Sequence, residues 1–186
     1  MPTLSKRIFG KEYMDSNWDT IALWMHDHGD RLARTLTVMI GDTEDAQDIV
    51  QEVFIRAYRA LDSYRGTGSP YTYLYSIALN LVRSQWRRRA RRPRDVEYDD
   101  HASPGYYPGP ESTALSNEQA EMVTKGVRKL SPKLREVVSL FYLSGMSVED
   151  MGEVLGIRTG TVKSRLFRAR EELKRYITEE VGYETV

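Results

Sequence analysis

Residues Ser147–Glu172 read SVEDMGEVLGIRTGTVKSRLFRAREE, and their punctuation decides the fold class. Ser147 with Asp150 in the following turn is an N-terminal capping pair. A helix opens there, and Gly156 supplies the left-handed residue that closes it. After the turn at Gly156-Ile157, Thr159 is placed to cap a second helix with the seam Val162, Leu166, Ala169 and Leu173. A short helix, a tight turn and a longer helix make a helix-turn-helix. In that layout the second helix enters the DNA major groove with its early residues toward base edges. Thr161, Ser164, Arg165 and Arg168 fall on the face opposite the seam. Lys163, Arg170 and Lys174 flank it at phosphate-reaching positions. Arginine reads guanine with two hydrogen bonds, whereas lysine adds mainly salt-dependent affinity. The plain competitor is a solvated basic face on a helical hairpin.

Working outward, the same grammar continues. Ser131-Pro132 sets an N-cap with proline in the first helical position, and Gly145 ends that helix. Ser116 with Gln119 resembles another capping box. Toward the N-terminus, Ile21, Trp24, Met25, His28, Leu32, Leu36 and Met39 step by three and four up to Gly41. Asp42 is then an N-cap, with Glu44 and Asp45 where a helix dipole favours anions. The next helix has the apolar stripe Ile49, Val50, Val53, Phe54, Ala57 and Leu61, and a polar side with Asp45, Asp48, Gln51 and Glu52. After the turn-rich stretch 63–70 a third helix runs over about 72–92, with Leu74, Ile77, Ala78 and Leu81 as its buried side. Ser76, Asn80, Arg83 and Arg87 lie opposite. No alternating strand pattern occurs, so the fold class is all-α, in two small helical domains.

The division falls at 93–110, PRDVEYDDHASPGYYPGP, which has turn formers and no helical period. A connection of that length reads as a flexible linker. The organisation expected is a tail at 1–15, a first domain at 16–92, a linker at 93–114, a second domain at 115–180 and a tail at 181–186. The 27 basic and 27 acidic residues cancel, but not locally. Arg83–Arg94 has seven arginines and no acid; Asp95–Glu111 has five acids and no Lys or Arg. A neutral sum thus hides a basic block beside an acidic one, and DNA responds to the local field. The chain has no cysteine, which removes disulfides and thiolate zinc sites and fits a cytoplasmic address. No apolar run is long enough for a membrane span, and the first 15 residues do not read as a secretory signal.

The run GTVKSRLFRAREEL, preceded by LSPKLREVVSLFYLSGMSVEDMGEVLGI, resembles the fourth conserved region of bacterial sigma factors, in particular the extracytoplasmic-function group. The likeness covers nearly all of Leu115 to Ile177. It implies a domain that binds the minus-thirty-five promoter element, with Arg158, Thr159, Thr161, Lys163, Ser164, Arg165, Phe167 and Arg168 as its DNA residues. Arg158 stands where the family often has proline.

Two stretches of the first domain carry the likeness further. DAQDIVQEVFIRAYRALDSYRG is similar to the sigma segment that docks on the clamp helices of RNA polymerase, which implies Asp48, Gln51 and Glu52 as polymerase-binding residues. Asp48 and Glu52 are one turn apart, so both carboxylates can face a basic partner; a solvated acidic face is the ordinary alternative. SYRGTGSPYTYLYSIALNLVRSQWRRRARR resembles the part that melts and reads the minus-ten element. That implies Tyr64, Arg65, Tyr71, Tyr73, Ser76, Asn80, Arg83 and Arg87 as contacts to a melted strand. Aromatic faces stack on unpaired bases, arginines follow the backbone, and an expelled base needs a pocket. Tyr64, Tyr71, Tyr73 and Trp86 are equally readable as core or interface residues. Pro70 stands where an aromatic is frequent, and Tyr73 where tryptophan is. The larger members' third domain has no counterpart; the linker takes its place, its acids placed to mimic a nucleic-acid backbone toward the RNA exit path.

The reading expected is therefore a non-catalytic sigma factor with core polymerase, promoter DNA and an anti-sigma factor as partners, no cofactor, no metal and no membrane insertion. An alternative is a stand-alone helix-turn-helix regulator with an N-terminal sensing domain. A metal-dependent nuclease built on Asp42, Asp45, Asp48 and Glu52 is a third; His26, His28 and His101 have no ligand spacing with them.

Overall fold

The computed structural model describes residues 16–64, 68–91 and 117–181. Its elements among these are all helical: α1 (Ser16–Ile40), α2 (Thr43–Ala60), α3 (Pro70–Arg91), α4 (Asn117–Lys129), α5 (Pro132–Val138), α6 (Val148–Leu155) and α7 (Thr159–Val181). The tails, the linker, Arg65 and the Ser116/Gln119 capping pair fall outside what can be described. α1, α2 and α3 pack on one another, and α4, α5 and α6 pack around α7.

The caps behave as local chemistry requires. The Asp42 side chain accepts the Asp45 N–H at 2.9 Å, which satisfies one orphan donor of α2 and contributes about 1 kcal/mol. Gly41 has φ +87°, so it can turn the chain out of α1 while its N–H donates to Thr37 O at 2.8 Å. Ser147 caps α6 by accepting the Asp150 N–H at 3.0 Å, and Gly156 ends it at φ +68°. Two expectations shift. Ser131 holds the N-cap position of α5, with proline following, but its side chain makes no cap hydrogen bond. Val162 N–H bonds to Arg158 O, so Arg158, not Thr159, stands at the N-cap of α7.

Beyond α5 the helix widens to a π turn over Ser139–Leu143, with Ser144 N–H reaching Ser139 O at 3.2 Å. α3 also differs from its expected amphipathic form. Leu74 and Ala78 are buried as expected, and Ile77 and Leu81 are only half-buried. Tyr75, Leu79 and Val82 form a second buried stripe. The reason is tertiary: α3 packs against α1, α2 and α6 together, which covers one wide arc of the helix. The halves consequently share one core, in which Leu32, Leu36, Met39 and Val82 join Val137, Leu140, Met151 and Leu155.

Candidate nucleic-acid and polymerase interfaces

The helix-turn-helix is built tightly at its turn. Ile157 N–H donates to Gly152 O at 3.0 Å, and a side chain at Gly152 would place its Cβ 3.0 Å from Ile157 O. Only glycine lets α6 and the turn approach this closely. On α7, Val162, Leu166 and Ala169 are buried against the domain, as the seam requires. Arg158, Thr159, Lys163, Ser164, Phe167 and Arg168 are exposed, and Thr161 and Arg165 half-buried. Phe167, 64% exposed, is a large apolar side chain offered to solvent in the middle of a cationic face. Arg170 is committed elsewhere: its Nε donates to the Tyr142 hydroxyl at 2.8 Å, and its guanidinium lies over the Phe141 and Tyr142 rings.

On α2, Asp48 and Gln51 are exposed and Glu52 is half-buried. Glu52 pairs with Arg56 at 2.6 Å across one turn, a solvent-facing pair worth about 0.3–0.5 kcal/mol that a competing partner can break. Next to these, Ile55 and Tyr58 are exposed, and Trp18 of α1 (53% exposed) packs its edge on Tyr58 at 6.2 Å. These exposed apolar residues adjoin the polar face of Asp48, Gln51 and Glu52. The apolar stripe of α2 did not predict them, because they stand outside it; their signal was an aromatic and a β-branched residue on the polar side.

The minus-ten candidates divide. Asn80 and Arg87 are exposed on α3, and Ser76 turns its hydroxyl back to Thr72 O. Tyr64 and Tyr73 stack at 4.8 Å and both lie edge-on to Trp24, so they line one half-buried aromatic cluster. Burial and the neighbouring Tyr64 raise the pKa of the Tyr73 phenol, which keeps it neutral. Tyr71 and Arg83 contact the second half: the Tyr71 hydroxyl donates to Ser144 O, and Arg83 pairs with Glu136. The sequence reading missed Glu136. Its signal was an acid inside the apolar run Leu134, Val137, Val138 and Leu140.

Three of the four carboxylates of the nuclease alternative have structural partners, and Asp48 is exposed. Asp42 caps α2, Asp45 pairs with Arg89, and Glu52 with Arg56. Among the described residues no group of three or more His, Cys, Asp or Glu is placed to hold a metal ion, and no helix is long and apolar enough to cross a membrane.

Fold and faces together define an all-helical protein that presents a helix-turn-helix with a cationic recognition helix beside a second, aromatic-bearing helical unit. The family pattern described as Sigma-70 region 2 matches residues 24–92, and that described as Sigma-70, region 4, matches residues 120–173. The chain is 38% identical over 137 residues to the ECF RNA polymerase sigma-E factor of Escherichia coli, covering 69% of this chain and 72% of that one. It is 38% identical over 143 residues to the RNA polymerase sigma-H factor of Pseudomonas aeruginosa, covering 72% and 74%. Two solved structures are similar. One is CnrH in complex with the cytosolic domain of CnrY (TM-score 0.66, 25% identity, 88% of this chain and 91% of that chain). The other is the sigma factor RpoE in complex with the anti-sigma factor NepR from Bartonella quintana (TM-score 0.66, 26% identity, 86% and 95%). The chain belongs to the ECF family of RNA polymerase sigma factors. It directs promoter recognition at transcription initiation; a stand-alone regulator would have no need of the region 2 match.

Proposed function

We propose that this sigma factor is a non-catalytic, dissociable subunit that acts in the cytoplasm by joining core RNA polymerase to promoter DNA. The observation that carries the reading is α7: an exposed face with Arg158, Lys163, Ser164 and Arg168 behind which Val162, Leu166 and Ala169 are fully packed. A recognition helix needs both properties, since its backbone must be fixed while its outer side chains reach base edges and phosphates. In this reading the domain at 115–180 holds the minus-thirty-five duplex. Thr161, Ser164, Arg165 and Arg168 face the bases, while Arg158, Thr159 and Lys163 secure the backbone and Phe167 offers an apolar contact.

The domain at 16–92 serves two other partners. Asp48, Gln51 and Glu52, with the apolar patch of Trp18, Ile55 and Tyr58, dock on the polymerase clamp. Ser76, Asn80, Arg83 and Arg87 follow the melted minus-ten strand, and the loop with Tyr64 and Arg65, together with Tyr71 and Tyr73 in the first turn of α3, receives an expelled base. The acidic linker at 93–114 lies along the polymerase's RNA path. An anti-sigma factor is the expected regulator; the similar solved structures, with RpoE bound by an anti-sigma factor, support that kind of partner.

The test is in vitro transcription with core polymerase on a promoter library, alongside binding to polymerase without DNA. The expected result is initiation from a restricted promoter set, tight binding to core polymerase alone, and weak binding of the free protein to duplex DNA. Tight, sequence-specific binding by the free protein together with no affinity for polymerase would restore the stand-alone regulator.

A further inference from the structure

Around the shared apolar core, the contact between the two halves also contains specific polar pairings. Glu136 is 4% exposed, in the apolar centre of α5. Arg83 Nε donates to its Oε1 at 2.6 Å and Nη2 to its Oε2 at 2.8 Å, across 53 residues of chain. A carboxylate buried that deep needs a hydrogen-bonding cationic partner, and the two-point guanidinium fork is one.

The last turn of α1 supplies a second contact. α1 has no basic residue there. Arg135 Nη1 donates to Met39 O at 3.3 Å, and Arg128 Nη2 donates to Gly41 O. Two arginines of the second half thus bind one carbonyl in the last turn of α1 and one just past its end, at the negative end of its dipole. The third contact is the Tyr71 hydroxyl on Ser144 O, just past the π turn.

The same contact contains groups that favour its opening. Arg128 Nε and Arg135 Nε are buried without an acceptor. Neither arginine has a carboxylate partner among the described residues. Buried donors left unpaired oppose the burial that surrounds them. Among the described residues, Arg83–Glu136 is the ion pair that joins the two halves.

We propose that Arg83–Glu136 is a latch that holds the free protein closed and withholds Arg83 and Tyr71 from the melted DNA strand. A carboxylate presents two anionic oxygens to a guanidinium much as a phosphate does, so Glu136 and a DNA backbone compete for one donor set. The occlusion half of the proposal rests on the minus-ten reading of α3; the latch itself does not.

The chain has no cysteine, so single cysteines placed at the exposed Gln47 and Arg175 label uniquely for distance measurement by fluorescence transfer. The parent should show one narrow distance. Glu136→Gln and Arg83→Gln should each give a longer, broader distribution, and the double variant should open no further than the more open single, since both remove one interaction. Glu149→Gln, at an exposed acid of α6, should leave the distance unchanged. Overlapping distributions in all variants, or a broad one in the parent, would overturn the latch. Circular dichroism checks folding; if Glu136→Gln loses helix, Arg83→Gln decides, because Arg83 lies at the edge of the contact. With randomised single-stranded DNA of about 20 nucleotides, Glu136→Gln should bind about three- to tenfold more tightly as the competent fraction rises, and Glu149→Gln less than about twofold. A variant that opens without gaining affinity would overturn the occlusion and place the fault in the minus-ten reading, leaving the latch standing.

Discussion

Replacing Gly152 tests whether the tight turn of the helix-turn-helix positions the recognition helix. A Cβ there would lie 3.0 Å from the Ile157 carbonyl oxygen and 3.5 Å from Thr159 Cγ2. The first contact is with backbone, so relief requires the turn to move by a few tenths of an ångström, at a typical overpacking cost of about 1–3 kcal/mol. Against this, alanine gains about 1 kcal/mol over glycine inside a helix. Gly152→Ala should thus lie between neutral and about 2 kcal/mol destabilised. Gly152→Val adds two methyl groups to the same crowded space and loses most of the propensity gain, so about 3 kcal/mol is expected. Gly160 is the internal control, since a Cβ there meets nothing within 4 Å, and Gly160→Ala should be neutral or stabilising. Urea unfolding followed by circular dichroism gives the stabilities, and affinity for a promoter duplex recovered from the library gives the function. Because Ile157 and Thr159 lead directly into α7, the Gly152 variants should lose duplex affinity in the order valine, then alanine, under conditions where both remain folded. A Gly152→Val protein as stable and as tight-binding as the parent would refute the close-approach reasoning.

Arg165→Ala and Arg168→Ala should each weaken binding to the minus-thirty-five duplex. A base-reading arginine should cost about 1–3 kcal/mol and relax specificity at one position, whereas a uniform loss over all sequences would make it a phosphate contact. Asp48→Lys or Glu52→Lys should abolish association with core polymerase with helical content retained, and unchanged affinity in a pull-down would remove α2 from the docking face. Trp18→Ala should weaken the same association with little change in stability, because the ring is half in solvent. Phe54→Ala, by contrast, deletes a buried ring of α2 and should cost about 3–5 kcal/mol in urea unfolding while leaving the surface charges in place.

Much of this protein was legible from residues a few positions apart. Asp42, Ser147, Gly41 and Gly156 set helix ends through their own side chains or backbone freedom, and the Val162/Leu166/Ala169 seam follows from helical period alone. These are short-range effects, so the local sequence contains the whole interaction. The outward face of α7 was readable for the same reason: once the seam is known, the opposite side is fixed by geometry.

What the tertiary structure decided are pairings between distant groups. Helical period gave α3 a buried side centred on Leu74, Ile77, Ala78 and Leu81; packing against α1, α2 and α6 shifted and widened it to take in Tyr75, Leu79 and Val82, with the Tyr75 hydroxyl bonded to Thr35 of α1. Tyr64 and Tyr73 were open to a core or a surface role until Trp24 placed them in one half-buried cluster. Arg83 looked like a free cation on a polar stripe, and Glu136 like an oddity in an apolar run. Each is satisfied by the other, and a chain read locally cannot specify a partner 53 residues away. Complementary charge and burial do so only when the helices that carry them are brought together.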